Sequence, residues 1–228
     1  MAWSTYLLAL KIFWRRIGLF LTANLLWIAM SLPIVTWPAA TAGLFYLARR
    51  VADEELLADP QPAVIADFWR GFREQWRRSS LLSFGNLVLL GALLVALRFY
   101  GTSSLQLLNW LVGPITLCLI VWAGMQLFLY PLLIQRPDRT PWAIAREAFL
   151  ITISYPFNAA LTLLTTLILL VGALFLAGPI LFIFFALIAV LQTVGLRALL
   201  AQRGELQLQL SADQREERTR RGSPRSPK

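Results

Sequence analysis

Residues 148–196 read AFLITISYPFNAALTLLTTLILLVGALFLAGPILFIFFALIAVLQTVGL, and from Ala148 to Leu196 there is no Asp, Glu, Lys or Arg. A helix of about 20 residues crosses a hydrocarbon core of about 30 Å, and an uncharged apolar run of about 18 or more reads as such a span. This run is long enough for two, with Gly178-Pro179 between them. Three other uncharged runs lie upstream, at Ile17–Ala48, Ser79–Leu97 and Phe99–Gln135. The 228-residue chain is accordingly 58% apolar and 14% charged, against roughly 45–50% and about 25% in soluble proteins. The fold class read from this is all-α, a polytopic transmembrane helical bundle, and a soluble enzyme is excluded.

Breaking the runs at Pro, Gly and polar clusters gives six helices. They are about Ile17–Leu32, Pro38–Ala48 with a polar extension, Leu81–Leu97, Trp110–Tyr130, Asn158–Leu176 and Pro179–Leu196. Pro38–Ala48 is short, about 16 Å at the helical rise. It either continues through Arg49 and Arg50 towards Leu57 with both side chains snorkelling, or forms part of a re-entrant hairpin. Of the 21 Lys and Arg, all but Arg98 fall in the N-terminal segment, the 49–78 loop, the 136–146 loop or after the last span. The positive-inside rule then makes that shared side the cytoplasm. The expected topology is three hairpins with both termini cytoplasmic and interfacial elbow helices between them. The basic start and Ala40-Thr41-Ala42 look like a signal peptide, but the apolar stretch is too long for its core, so no cleavage is expected. Residues 1–200 are expected to form the membrane domain. The tail, 201–228, is basic, lacks aromatic residues and is expected to be disordered and cytoplasmic.

The missing residue types narrow the chemistry. With no His and one Cys there is no imidazole base, no Cys/His metal cluster and no intrachain disulfide. Cys118 reads as a small buried hydrophobe in an apolar run. No phosphate-cradling glycine loop and no Gly-x-Ser-x-Gly elbow occurs. No catalytic residue, metal ligand or cofactor is therefore expected, and the chain reads as non-enzymatic. Its loop acids, Asp53, Glu54, Glu55, Asp67, Glu74, Asp138 and Glu147, mostly have Arg neighbours, which points to solvated pairing.

Ala63–Ser80 is the most patterned polar stretch. Phe68, Trp69, Phe72 and Trp76 fall at helical spacing, with Arg70, Arg73, Arg77 and Arg78 mostly off that face. This describes an amphipathic helix in the cytoplasmic interface, with rings at headgroup depth and guanidiniums near lipid phosphate. It serves either as an anchor or as a docking surface. The net charge of +9 is accounted for by topology, so no nucleic-acid partner is expected. Asn24, Asn86 and Asn158 sit near the starts of first-arm helices, as interhelical glue or as a polar cluster lining a small-molecule site. Trp14-Arg15-Arg16 with Asn24-Leu25 is echoed at the same spacing by Trp76-Arg77-Arg78 with Asn86-Leu87, and more faintly by Phe149 with Asn158. This suggests three parallel repeats, each an elbow followed by a hairpin.

Asn24-Leu25-Leu26-Trp27, Ser31-Leu32-Pro33-Ile34-Val35-Thr36 and Pro38-Ala39-Ala40-Thr41-Ala42 resemble, in that order, the N-terminal signature of the YesL family. These are bacterial integral membrane proteins of unknown function. Asp67-Phe68-Trp69-Arg70-Gly71-Phe72-Arg73-Glu74 is similar to the family's aromatic Phe-x-x-Gly-Phe elbow. The resemblance covers about Leu19–Arg78, and the long basic tail departs from it. It implies a small multi-span protein of the bacterial cell membrane, associated with carbohydrate-uptake ABC transporters, whose subunits are then the implied partners besides the lipid bilayer. It carries over no catalytic residues. Physically, Ser31, Pro33, Thr36, Pro38 and Thr41 form a helix break in which the threonines can satisfy carbonyls left free by the prolines. Ala39, Ala40, Ala42 and Gly43 permit another helix to approach closely. The function expected is a transport accessory; the alternative is a carrier or channel for a neutral or amphipathic solute.

Overall fold

The computed structural model describes residues 3–57, 61–102, 106–175, 181–202 and 204. Among them the regular structure is helical throughout: α1 (Trp3–Arg15), α2 (Ile17–Ser31), α3 (Trp37–Leu57), α4 (Ile65–Gly101), α5 (Gln106–Asn109), α6 (Val112–Gln135), α7 (Pro141–Ser154), α8 (Pro156–Phe175) and α9 (Leu181–Gln202). Proline marks several starts. Pro38, Pro114, Pro141 and Pro156 lie in first turns, where a missing N–H interrupts no helical bond. Thr140 caps α7, its hydroxyl oxygen accepting the Ala143 N–H at 3.3 Å. At the start of α4 the Asp67 carboxylate accepts the Val64 N–H at 3.0 Å, which occupies a donor that the helix itself leaves free.

Three helices among the described residues are long and apolar enough to cross a membrane: α4, α6, and α9 from Ile183 to Ala201. Two bent pairs raise the number to five at most. Leu7–Arg15 meets α2 at 87°, and α7 meets α8 at 101°. The sixth expected span is α3. It continues as one helix through Arg49 and Arg50 to Leu57, a length compatible with both of the courses open to it. Its second half carries Arg49, Arg50, Asp53, Glu54 and Glu55, so it lacks the uncharged length of a span.

The sequence places a separate interfacial helix at 63–80. The structure instead starts this helix at Ile65 and runs it unbroken for 37 residues to Gly101. The junction contains neither Pro nor Gly, and the Ser79 hydroxyl bonds back to the Trp76 carbonyl at 3.2 Å inside the helix. Nothing there ends it. At the matching point before α8, Pro156 blocks straight continuation and Tyr155 leaves the helix (φ −130°, ψ 60°). Before α2 the turn falls at Arg16 (φ −119°, ψ 28°). Two elbows of the supposed repeat are thus sharp bends and the middle one is straight. At the C-terminal end α9 runs through Ala201 to Gln202; the rest of the tail, apart from Gly204, lies outside the described residues, as does Pro179.

The core gathers around α3, which packs on α2, α4, α6 and α9. One apolar cluster joins Phe13, Phe20, Leu44, Leu47 and Phe68 to Val190. A second joins Phe128, Leu132, Leu133 and Ile144 to Leu196. The apolar half of α4 turns the other way. Leu81, Phe84, Leu87, Val88, Val95 and Phe99 are all more than half exposed, as are Leu167 and Ile168 on α8. Such a belt exceeds the scattered apolar exposure of a soluble protein and matches a hydrocarbon surround. Cys118, expected to be a small buried hydrophobe, is exposed on α6.

Candidate functional site

Small residues let α3 and α4 meet backbone to backbone. A Cβ on Gly43 would lie 2.7 Å from the Phe68 carbonyl oxygen, and one on Gly71 would lie 2.3 Å from Tyr46 Cβ. Gly43 thus admits a close neighbour, as its small-residue segment suggests, and Gly71 of the Phe-x-x-Gly-Phe elbow is its counterpart. This crossing holds the polar end of α3 against the first turns of α4.

That end of the bundle carries a layer of ion pairs. Arg15 and Arg16, at the α1–α2 bend, reach Glu55 and Glu54 on α3. Asp53 lies between Arg49, at 3.6 Å, and Arg197 of α9. Arg49 also donates to the Ile134 carbonyl at 2.6 Å, tying α3 to the end of α6. Arg50 pairs with Asp67 at 3.9 Å. Arg78 donates to the carbonyls of Arg136 at 3.0 Å and Arg139 at 2.5 Å, and these two arginines pair with Glu147 at 3.5 and 3.3 Å. Asp67 and Arg78 both meet partners in this layer, so the first turns of α4 run along it. The loop acids depart from the expected solvated pairing: the side chains of Asp53, Glu54, Glu55 and Glu147 are only 13–16% exposed. Glu74 keeps to it, paired with Arg70 at 3.7 Å with both side chains more than half exposed.

The aromatic face of residues 63–80 is divided. Phe68 is fully buried against α3, and Trp69 and Phe72 pack partly into the same core. Only Trp76 stands out, 51% exposed, with the Arg77 guanidinium 5.7 Å from its ring centroid. The rings expected at headgroup depth are therefore mostly core, because the Gly43–Gly71 crossing draws that face inward. Arg70, Arg73 and Arg77 remain exposed, whereas Arg78 is half-buried.

At the helix break Pro33 is exposed and Ser31 partly so. The Thr36 hydroxyl donates to the carbonyls of Met30 at 2.5 Å and Pro33 at 2.8 Å. Thr41 donates to the Trp37 carbonyl at 2.9 Å and accepts the Trp27 indole N–H at 3.1 Å. Thr36 thus serves carbonyls at the end of α2 and in the turn, whereas Thr41 bonds back within the first turn of α3. Neither contact is to the Ala29 or Ile34 carbonyl that Pro33 or Pro38 would leave without its helical partner. The Pro38 end of α3 is buried.

The three asparagines occupy different seams. Asn24 is fully buried on the face of α2 shared with Phe20 and Trp27, and Trp27 stacks on Phe185 of α9. Asn158 is on α8, which packs on α6, α7 and α9. Asn86 joins α4 to α6: its amide donates to Gln126 at 2.8 Å, and its carbonyl oxygen accepts from Gln126 at 2.9 Å and from the Trp122 indole at 2.8 Å. One turn nearer the charged layer, Ser83 and Tyr130 share a 2.7 Å hydrogen bond. Trp122 and Gln126 escaped notice as a pair, although their spacing of four in an uncharged helix puts them on one face.

Beside the α3–α4 connection lies a cleft of about 750 Å³, lined by Arg50, Asp67, Trp69, Arg70, Arg73 and Glu74 among others. Among the described residues, no group of three or more His, Cys, Asp or Glu is arranged to hold a metal ion.

A family model described as "Protein of unknown function, DUF624" matches residues 20–97, about a third of the chain. The matched segment comprises most of α2, all of α3 and nearly all of α4, and so contains the Gly43–Gly71 crossing and the helix break. The match is consistent with the YesL resemblance over the same stretch, without naming it. No curated protein and no solved structure matches the chain.

Proposed function

We propose that this chain is a multi-pass protein of the bacterial cytoplasmic membrane, with both termini in the cytoplasm. It acts without catalysis as an accessory to a transport system, carbohydrate uptake by an ABC transporter being the class that the YesL resemblance implies. The observation that carries the reading is the outward presentation of Arg70, Arg73, Arg77 and Trp76 on α4, beside a charged layer whose other members are largely consumed in internal pairs. A basic aromatic face left free at the membrane surface suits docking of an acidic cytoplasmic surface or subunit.

The alternative, a carrier or channel for a neutral or amphipathic solute, rests on free carbonyls at a broken helix. The Thr36 hydroxyl occupies two carbonyls at that break, those of Met30 and Pro33, which favours the accessory reading. Mild-detergent pull-down of the tagged protein from native membranes tests both. ABC permease or solute-binding subunits are expected to co-purify. They should be lost from R70Q/R73Q/R77Q, a variant that spares Arg78 and its carbonyl contacts. Recovery of the protein alone, together with solute flux in liposomes containing only this chain, overturns the accessory role.

A further inference from the structure

We infer that the cleft beside the α3–α4 connection is a headgroup site for a zwitterionic aminophospholipid, of the phosphatidylethanolamine type. The inference rests on the membrane reading above and needs no transport role, although it shares Arg70 and Arg73 with the docking face of that role. Its first support is charge. Asp67, Arg70 and Arg73 follow at three-residue spacing along α4, Glu74 lies four on from Arg70, and all four line one wall. In chain order two carboxylates thus flank two guanidiniums on one side of the helix. Arg50 adds a third cation, drawn to Asp67. A wall of both signs suits a ligand of both signs: phosphate towards the guanidiniums, ammonium towards the carboxylates. A purely anionic headgroup would meet Asp67 and Glu74 at like charge. Arg73 makes no ion pair or hydrogen bond among the described residues, and its neighbour Glu74 is held only by a long, exposed contact to Arg70. Both are available.

The second support is continuity. Because α4 does not break after Ser80, the face bearing Arg73 continues through Arg77 to Leu81, Phe84 and Val88, at spacings of three and four. Leu81 is 63%, Phe84 67% and Val88 56% exposed. A polar cleft thus runs directly onto an outward apolar stripe, about 12 Å further along the helix. A soluble zwitterion has no use for that stripe, whereas acyl chains cover it. The Gly43–Gly71 crossing fixes the cleft by holding α3, with Arg50, against α4.

The test is native mass spectrometry of the detergent-solubilised full chain, titrated with short-chain phosphatidylethanolamine, phosphatidylglycerol or free phosphoethanolamine. Carbonate extraction of native membranes is run alongside. The expected result is a one-to-one phosphatidylethanolamine adduct, preferred over phosphatidylglycerol, with free phosphoethanolamine bound far more weakly. R73Q and E74Q should each weaken the adduct about tenfold at unchanged helicity and melting, and R73K should recover most of it. Phosphatidylglycerol binding as well or better overturns the zwitterion assignment. Free phosphoethanolamine binding equally well makes it a soluble-ligand site, and adducts indifferent to R73Q and E74Q place the lipid elsewhere. A protein that stays in the membrane pellet yet shows none of these preferences has lost the site alone. One released by carbonate has lost the membrane reading first.

Discussion

Asp53 sets two cations at rest. Its carboxylate is 14% exposed and lies between Arg49 and Arg197, and the Arg197 side chain is 9% exposed. Removing the acid leaves a nearly buried guanidinium without its counter-ion, a defect of about 3–5 kcal/mol in comparable sites. D53A is therefore expected to lower stability far more than E74A, whose exposed pair is worth well under about 1 kcal/mol. Thermal or denaturant unfolding of both variants in one detergent checks this, and equal effects would show that the Asp53 pairs are idle. Nothing local distinguishes Asp53 from Glu54 and Glu55 in the sequence, since Arg197 is 144 positions away. The glycine crossing was half legible. Gly43 stood out in a run of small residues, but Gly71 was seen only as part of an aromatic motif. G71A drives a Cβ into Tyr46, backbone-proximal atoms that cannot swing aside. It is expected to cost about 1–3 kcal/mol, against little for G85A, where a Cβ meets nothing within 4 Å. The same melts compare them.

Among the elements, the α2–α3 hairpin is the one whose length conflicts with a full crossing. α2 has 15 residues, about 22 Å, against a core of about 30 Å. It leaves the charged layer at Arg16, and its far end exposes Leu32, Ile34 and Val35 to 80–83% with no charge nearby. The turn satisfies part of its own backbone through Thr36, the condition for irregular chain inside a bilayer. The hairpin is expected to be re-entrant, with its tip in hydrocarbon. In a C118A background, I34C should resist a membrane-impermeant maleimide from either face, while N109C, at the far end of the α4–α6 hairpin, should label from one face only. Labelling of I34C as readily as N109C from that face would mean a full crossing. Hydropathy located this element correctly and left its course open, because an uncharged run records what tolerates lipid and says little of how deep it goes. Likewise the Ser79-Ser80 junction read as a boundary by polarity, yet polarity alone does not end a helix; only Pro156 at the third elbow carried a steric stop.

At the scale of the molecule, sidedness follows from pairing. The base of α2, the ends of α3 and α6, the start of α4, α7 and Arg197 near the end of α9 all meet in one charged layer. Arg98 stands at the opposite end of α4. The positive-inside rule counts the bias loop by loop, and these pairs gather the loops that carry it at one end of the bundle. Whether α2–α3 crosses twice or dips and returns, it restores the chain to its starting side, and the orientation of everything after it is unchanged. The α4–α6 connection therefore decides the topology. A fluorescent-protein fusion at the C-terminus is expected to glow, and alkaline phosphatase inserted after Asn109 is expected to be active, since one needs the cytoplasm and the other an oxidising exterior. R98Q should leave both signals in place, because the bias comes from the layer. Phosphatase activity from a C-terminal fusion while the Asn109 insertion also stays active would put both on one side, and the parity imposed by three returning hairpins would fail. Activity at the C-terminus with none at Asn109 would mean an inverted bundle.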